Sequence, residues 1–184
     1  MRYPIIYQKA GNFNVSELLE KMNNHRSLFD STFGVGKWTF TGSAAVIIYA
    51  LEYKPDLISY LDEPNDLDFL VESKMHINLN YIGDYNERKQ ESLSRSYTFV
   101  NSSTGNSIDV SILPNLKKNI IRGFPLYDAK LLLDEYKDSS DIGERKDAKK
   151  IIALEQIIDK IPVSENIEEK DYSHLEPIRG RLFF

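Results

Sequence analysis

The chain has 184 residues, of which 41% are hydrophobic and 28% charged, a composition that supports a folded core in one domain, or in one domain with a small appendage. It contains no cysteine, which excludes disulfides, thiolate metal ligands and cysteine nucleophiles and fits a cytoplasmic protein. The net charge of −5 argues against binding to nucleic acid along a broad basic face, and no apolar run is long enough to predict a membrane-spanning helix.

The first third of the chain alternates helical and strand-like segments. Residues 14–30 open with a capping Asn or Ser followed by an apolar stripe, which predicts an amphipathic helix. Residues 37–41 are aromatic and β-prone, which predicts a strand. Gly42-Ser43 ends that strand, and the sequence AAVIIYALEY that follows has the length and alanine content of a buried helix. The prolines and acids of residues 54–65 predict a loop or a short turn.

The remainder of the chain is predicted to contain strands and then helices. Residues 66–72 are expected to form a strand, and the polar–apolar alternation of residues 76–82 favours another. Residues 97–101 and 107–113, joined by the sequence STGN, are typical of a β-hairpin. From residue 127 to about residue 160 the apolar period becomes helical, which predicts two helices.

These elements predict an α+β fold, or a mixed α/β fold, in which helices flank a small mixed sheet. We expect residues 1–125 to form the sheet-containing domain and residues 126–184 to form a helical segment with a short tail. The apolar residues of the helical segment need a surface to cover, so we expect it to pack on the sheet and close one side of a cleft. These residues are Leu131, Leu132, Ile151, Ile152, Leu154, Ile157 and Ile158.

Two carboxylates stand one residue apart in the sequence PNDLDFLV, residues 64–71. Because side chains alternate between the faces of a strand, Asp66 and Asp68 are expected to point the same way. Two like charges at that spacing raise each other's pKa unless something neutralises them. A divalent cation would neutralise them, and a solvated strand end would do so as well.

Two further features occur on neighbouring elements. Gly42-Ser43 joins a strand to a helix, in a tight turn that exposes backbone N–H groups at the helix N-terminus, where phosphate binds well. Asp109 is a lone carboxylate between Ile108 and Val110 on a later predicted strand. Three carboxylates on neighbouring strands are a natural site for one or two Mg²⁺ ions, which prefer oxygen ligands and share them with phosphates. We therefore expect the three aspartates to converge.

The order of these features resembles that of the nucleotidyltransferase superfamily with the polymerase-β-like fold, whose signature is an apolar residue before Gly-Ser, then Asp-apolar-Asp, then a flanked Asp. The resemblance covers roughly residues 35–155. It implies that Gly42 and Ser43 contact the triphosphate of a nucleotide. It also implies that Asp66 and Asp68 bind two metal ions, Mg²⁺ or Mn²⁺. Asp109 would complete the catalytic metal site and help to activate the attacking hydroxyl.

Among the branches of the superfamily, the chain is most similar to the bacterial AbiEii-type group, whose members include toxins of toxin–antitoxin systems. LYDAKLLL with Lys130 and ERKDAKK with Lys146-Asp147 resemble that group's later lysine and basic-Asp motifs. The resemblance places Lys130 near the triphosphate and Asp147 at the rim of the site. In the group a second Asp follows the basic-Asp motif, and Lys150 stands in its place here.

The chain also departs from the family before its Asp-Leu-Asp motif. Between Ser43 and Asp66 lie 22 residues, more than the family usually has, so residues 53–65 form an insertion. The AbiEii-type group has Arg-x-Ser before its motif, where this chain has Glu63-Pro64-Asn65. These departures bear on the choice of acceptor and on activity.

The resemblance implies an enzyme that transfers a nucleoside monophosphate from an NTP to a hydroxyl group by two-metal-ion catalysis and releases pyrophosphate. A tRNA 3′ end, a protein side chain or a small molecule would each supply the hydroxyl. The alternative is an inactive nucleotidyltransferase-like binding protein that acts as an antitoxin or a regulatory partner, and a toxin or antitoxin partner is compatible with either case. Taken singly, each motif has a simpler explanation, because a lone Asp-Leu-Asp is common at strand ends and Gly-Ser is a common helix cap.

Overall fold

The chain forms helices and short strands, most of them built on an apolar segment and separated from the next by turn residues. The computed structural model of the protein describes residues 14–72, 81–90, 96–141 and 147–162. Its helices are α1 (Val15–Phe33), α2 (Gly42–Tyr53), α3 (Ala129–Asp141) and α4 (Ala148–Glu155), with short 3₁₀ helices at Pro55–Tyr60 and Ile158–Lys160. Its strands are β1 (Trp38–Thr41), β2 (Leu67–Val71), β3 (Tyr81–Ile82), β4 (Tyr85–Gln90), β5 (Ser96–Asn101), β6 (Ser107–Ile112), β7 (Lys118–Ile121) and β8 (Phe124–Tyr127).

Within these ranges the eight strands form one mixed sheet, in the order β3-β4-β5-β6-β2-β1-β8-β7. Strand β1 runs parallel to β8 and antiparallel to β2, and β2 runs parallel to β6. The C-terminal ends of β1 and β8 therefore lie at the same side of the sheet as the N-terminal ends of β2 and β6. We call this side the acidic rim, because Asp66, Asp68 and Asp109 lie along it.

Helices cover the two faces of the central strands. Phe29 of α1 stacks on Phe69 of β2 with ring centroids 3.8 Å apart, and its ring also lies 5.3 Å from that of Trp38. Helix α1 begins where the Asn14 side chain accepts hydrogen bonds from the backbone N–H groups of two first-turn residues, as the capping pattern predicts. Helix α2 packs against the opposite face of β1 and β2, and its residues 44–50 are all buried. The predicted amphipathic and buried helices are thereby confirmed.

The C-terminal helices pack on α2 and on each other. Helix α3 also contacts β8, whereas α4 packs mainly on α2 and α3. Leu132, Leu154 and Ile157 are buried, as expected. The expectation is wrong for Ile152, which is 40% exposed because it lies on the outer side of α4. No helix in the described ranges combines the length and the apolarity that crossing a bilayer requires.

Several strands are absent from the sequence prediction. Strands β7 and β8 have four residues each, and Pro125 lies within β8. They form a hairpin through Arg122 and Gly123, whose φ values of 53° and 81° are those of a type I′ turn. Strand β4 is also absent from the sequence prediction, and the 54–65 segment, predicted as a loop or a short turn, contains a 3₁₀ helix.

Two other predictions meet the structure only in part. Of the strand predicted over residues 76–82, the structure describes 81 and 82, which form β3, and residues 76–80 lie outside the described ranges. The division expected after residue 125 falls inside β8. It stays a prediction. The expected short tail beyond residue 162 lies outside the described ranges.

We expect the two faces of α4 to differ sharply in their contribution to stability. Leu154→Ala should lower the free energy of unfolding by about 2–4 kcal/mol, because the fully buried side chain leaves a cavity. Ile152→Ala on the same helix is the matched control and should change it by less than about 1 kcal/mol. Urea denaturation measures both, and equal losses would contradict the packing of α4 described above.

Candidate active site

Register brings the three aspartates together. Asp68 of β2 lies directly opposite Asp109 of the parallel strand β6, so both side chains project from the same face of the sheet. Asp66 precedes Asp68 by two residues and lies just before β2 begins. One carboxylate oxygen from each of the three residues lies within 4.8 Å of the other two. The sequence prediction that these aspartates converge therefore agrees with the geometry.

The three carboxylates are partly buried and repel one another. Burial, together with the negative charges of Asp66 and Asp109, raises the pKa of Asp68 to about 7. Burial and the charge of Asp109 also raise the pKa of Asp66. The hydroxyl of Thr98 on β5 donates a 2.5 Å hydrogen bond to Asp109, its direct neighbour in the β5–β6 register. This set of crowded oxygen donors fits a hard divalent cation such as Mg²⁺ or Mn²⁺, whose charge would offset the repulsion.

Gly42 lies directly against this cluster. It follows β1 with a φ of +64°, a conformation that favours glycine, and it begins α2. A Cβ atom at this position would lie 2.7 Å from Cγ and 2.9 Å from Cβ of Asp68, overlapping the carboxylate. Glycine is therefore required here for the main chain to pass so close to Asp68.

The first turn of α2 offers backbone donors beside the carboxylates. Thr41 caps the helix without a side-chain hydrogen bond to the first turn. The N–H groups of a first helical turn have no partner within the helix, so those around Ser43 are available to an anion. The geometry of Gly42-Ser43 is that of the strand–turn–helix predicted from the sequence.

Lys130 and Asp147 lie in different environments, the first exposed and the second buried. Lys130 lies in the first turn of α3, directly after β8, so its backbone is at the acidic rim and its side chain is exposed. Its backbone N–H donates a 3.0 Å hydrogen bond to Asp128. Asp147 is 8% exposed and receives a 2.8 Å salt bridge from Lys150. Lys146, the other half of that motif, lies outside the described ranges.

Sequence reasoning missed three residues of this region. Thr98 supports Asp109, and nothing in its own sequence context marks it. Lys150 is known from the sequence only as a departure from a motif, yet its positive charge partly opposes the rise that burial and the neighbouring carboxylates cause in the pKa values of Asp66 and Asp68. Its ammonium group lies 4.9 Å from the ring centroid of Tyr136. The Tyr136 hydroxyl is buried and makes no hydrogen bond within the described ranges.

A cavity of about 340 Å³ opens beside Asp66. It lies between the N-terminal half of α1, the residues just before β2 and the turn before β6. Its lining is mostly polar and carries both signs of charge: Glu17, Leu18, Lys21, Glu63, Pro64, Asn65, Leu67 and Asn106. Residues 63–65, which precede Asp66 and β2, thus supply part of the cavity wall.

The raised pKa of Asp68 predicts a pH-dependent difference in stability between Asp68→Asn and the wild type without metal. Between its unfolded-state pKa of about 3.9 and about 7, folded Asp68 holds a proton that the unfolded chain releases, so the wild type loses stability as the pH rises. Asp68→Asn lacks this titrating group. The free energy of unfolding of the variant, relative to that of the wild type, should therefore increase by about 2–4 kcal/mol from pH 4 to pH 8.

Urea denaturation in EDTA at several pH values measures this difference. Asp134→Asn changes an exposed carboxylate on α3 and serves as the control, because solvent screens an exposed charge. A difference between Asp68→Asn and the wild type that stays constant with pH would contradict the electrostatic crowding at the cluster.

No protein-family model matches the chain, and no curated protein matches its sequence. Among solved structures, its fold is similar to that in the crystal structure of the Megavirus polyadenylate synthase, with a TM-score of 0.53 and 13% sequence identity. The similarity covers 89% of this chain and 41% of that chain, so the present chain spans about two-fifths of the synthase's length. At this identity the likeness shows the fold alone, and the expected mixed α/β sheet with flanking helices is confirmed.

Proposed function

We propose that the protein is a metal-dependent nucleotidyltransferase that transfers a nucleoside monophosphate from an NTP to a hydroxyl group. The observation that carries this proposal is the convergence of Asp66, Asp68 and Asp109 within 4.8 Å, beside the first turn of α2. The fold that the chain shares with a polyadenylate synthase supports it. The AbiEii-type assignment, with a toxin or antitoxin partner, rests on the motifs around Lys130 and Asp147 alone.

In the proposed reaction, the acceptor's hydroxyl oxygen forms a bond to the α-phosphorus while the bond from that phosphorus to the bridging oxygen breaks. Pyrophosphate leaves with the electron pair, and the hydroxyl proton passes to a base at the site. Asp109 orients the hydroxyl and helps to take up its proton, and the hydrogen bond from Thr98 holds Asp109 in place. Divalent cations held by the three aspartates would neutralise charge on the phosphate oxygens.

The triphosphate in this proposal lies along the first turn of α2. Gly42 lets the main chain approach closely, and the N–H groups around Ser43 donate to phosphate oxygens. Lys130 is exposed on the neighbouring first turn of α3 and is a candidate for the outer phosphates. These three residues reach the acidic rim from the ends of the parallel strands β1 and β8.

The acceptor in this proposal enters through the cavity beside Asp66. The lining contains Glu17 and Glu63 against a single lysine, Lys21, so a phosphate group would be repelled there. A tRNA 3′ end, a protein side chain and a small molecule all carry a suitable hydroxyl. The acidic lining favours a protein side chain or a small molecule.

An inactive binding or regulatory protein is the second candidate, and one observation favours it. Lys150 places a positive charge where the AbiEii-type group has a carboxylate. Incubation of the purified protein with Mg²⁺ or Mn²⁺, each labelled NTP and a panel of protein, RNA and small-molecule acceptors separates the two. A labelled product supports the enzyme, and none under any combination supports the binding protein.

We expect Asp109 and Asp68 to differ in what their loss removes. Asp109→Asn should lower turnover about 100-fold or more while leaving Mg–NTP affinity nearly unchanged, because a group that acts mainly in the transition state affects kcat more than binding. Asp68→Asn should reduce both, because Asp68 is the ligand closest to the start of α2. A turnover assay beside calorimetry of Mg–NTP binding measures the difference. Equal losses of affinity would rule out this division of roles.

Gly42→Ala should weaken metal binding and turnover, because the new methyl group displaces the Asp68 carboxylate. Gly105→Ala is the matched control. Gly105 also has a positive φ, +74°, but a Cβ atom there would meet nothing within 4 Å. Both variants should lose about 1 kcal/mol of stability from backbone strain, and only Gly42→Ala should lose Mn²⁺ affinity in a spectroscopic titration. Unchanged Mn²⁺ affinity in Gly42→Ala would show that Asp68 is not a metal ligand.

A further inference from the structure

We infer that Lys150 is a further phosphate-binding residue of this site, whose ammonium group contacts the outer phosphates of the nucleotide. This inference rests on the proposed function and extends it to a residue that the motifs do not assign. Lys150 stands where the resembled group has a carboxylate. By this inference it belongs to the substrate site and does not indicate lost activity.

The ammonium group of Lys150 is held from two helices. It lies 2.8 Å from Asp147, which precedes α4, and 4.9 Å from the ring centroid of Tyr136 on α3. The Lys150 and Asp147 side chains are 25% and 11% exposed, so this pair is shielded from solvent. A lysine has three N–H donors, and its one ion pair within the described ranges uses one of them. The group is thus fixed in position with donors left for a ligand.

The same ammonium group forms no ion pair with the carboxylate cluster within the described ranges. Burial raises the pKa values of Asp66 and Asp68, and the charge of Lys150 partly opposes that rise, although its ion pair is with Asp147. Burial raises the pKa of the Tyr136 hydroxyl, and the charges of Asp68 and Asp147 raise it further. The cluster oxygens therefore remain open to a metal ion while the lysine remains open to an anion. A polyphosphate is the ligand that contacts a divalent cation and an ammonium group together.

The neighbouring lysine shows what an ordinary surface pair on this helix looks like. Lys149 forms a 2.6 Å salt bridge with Asp62, whose side chain is 75% exposed, and the ammonium group of Lys149 lies 5.8 Å from the Tyr60 ring centroid. Exposed ion pairs of this kind contribute little to the free energy of unfolding. Lys149→Met therefore removes the same charge from the same helix turn without touching the cluster.

The test compares Lys150→Met with Lys149→Met in two binding measurements. Mn²⁺ alone is titrated by electron paramagnetic resonance, and tripolyphosphate in the presence of Mg²⁺ is titrated by calorimetry. Lys150→Met should bind tripolyphosphate about tenfold or more weakly, because a charge-assisted contact is lost. It should bind Mn²⁺ roughly three- to tenfold more tightly, because a nearby positive charge is removed. Lys149→Met should match the wild type in both.

A merely structural Lys150 would not produce opposite changes in the two affinities. If Lys150→Met unfolds because Asp147 is left unpaired, the double variant Asp147→Asn/Lys150→Met removes both charges and should show the weaker tripolyphosphate binding. Lys150→Arg, which keeps the charge, should retain most of the wild-type affinity. Tripolyphosphate affinity that is unchanged in Lys150→Met, or absent in the wild type, would overturn the inference. Lys150-dependent binding in a protein that transfers no nucleotide would uphold it and overturn the enzyme proposal instead.

Discussion

The register between β2 and β6 is the constraint on which the site depends. Five residue pairs, from Leu67 opposite Ile108 to Val71 opposite Ile112, hold the two strands in one alignment. Buried apolar side chains on the opposite face fix it, since a slip of one residue would turn them towards the polar face. The burial of these side chains therefore stabilises an arrangement that places Asp68 opposite Asp109 in spite of their repulsion.

The helices bring backbone N–H donors and lysine side chains to the neighbourhood of the acidic rim. The first turn of α2 supplies backbone donors, and Gly42 gives them access to the carboxylates. Helices α3 and α4 contribute lysines, with Lys130 exposed at the end of β8 and Lys150 held in a shielded pair. The carboxylates of the rim thus come from β2, from β6 and from the residue before β2, whereas the two lysines come from helices.

Much of the fold and part of the site follow from local patterns in the sequence. The alternation around Asp66 and Asp68, the cap at Asn14 and the break at Gly42 are short-range features, and the structure agrees with the elements they predict. The sequence of the β7–β8 hairpin predicts strands less clearly, because both strands are short and one contains a proline. The hydrogen bond from Thr98 to Asp109 and the ion pair of Lys150 depend on which elements become neighbours, which no local pattern contains.

The close approach of Gly42 to Asp68 also bears on how the site adapts to ions of different radius. The main chain at Gly42 confines the Asp68 carboxylate, whose orientation is therefore set by backbone geometry. Asp66 precedes the strand and belongs to a connecting segment, where a small adjustment of the backbone meets less resistance. A larger ion such as Mn²⁺ in place of Mg²⁺ would then be accommodated by movement of Asp66 around a fixed Asp68. In a metal-bound site, Asp68 would therefore be a rigid ligand and Asp66 a compliant one.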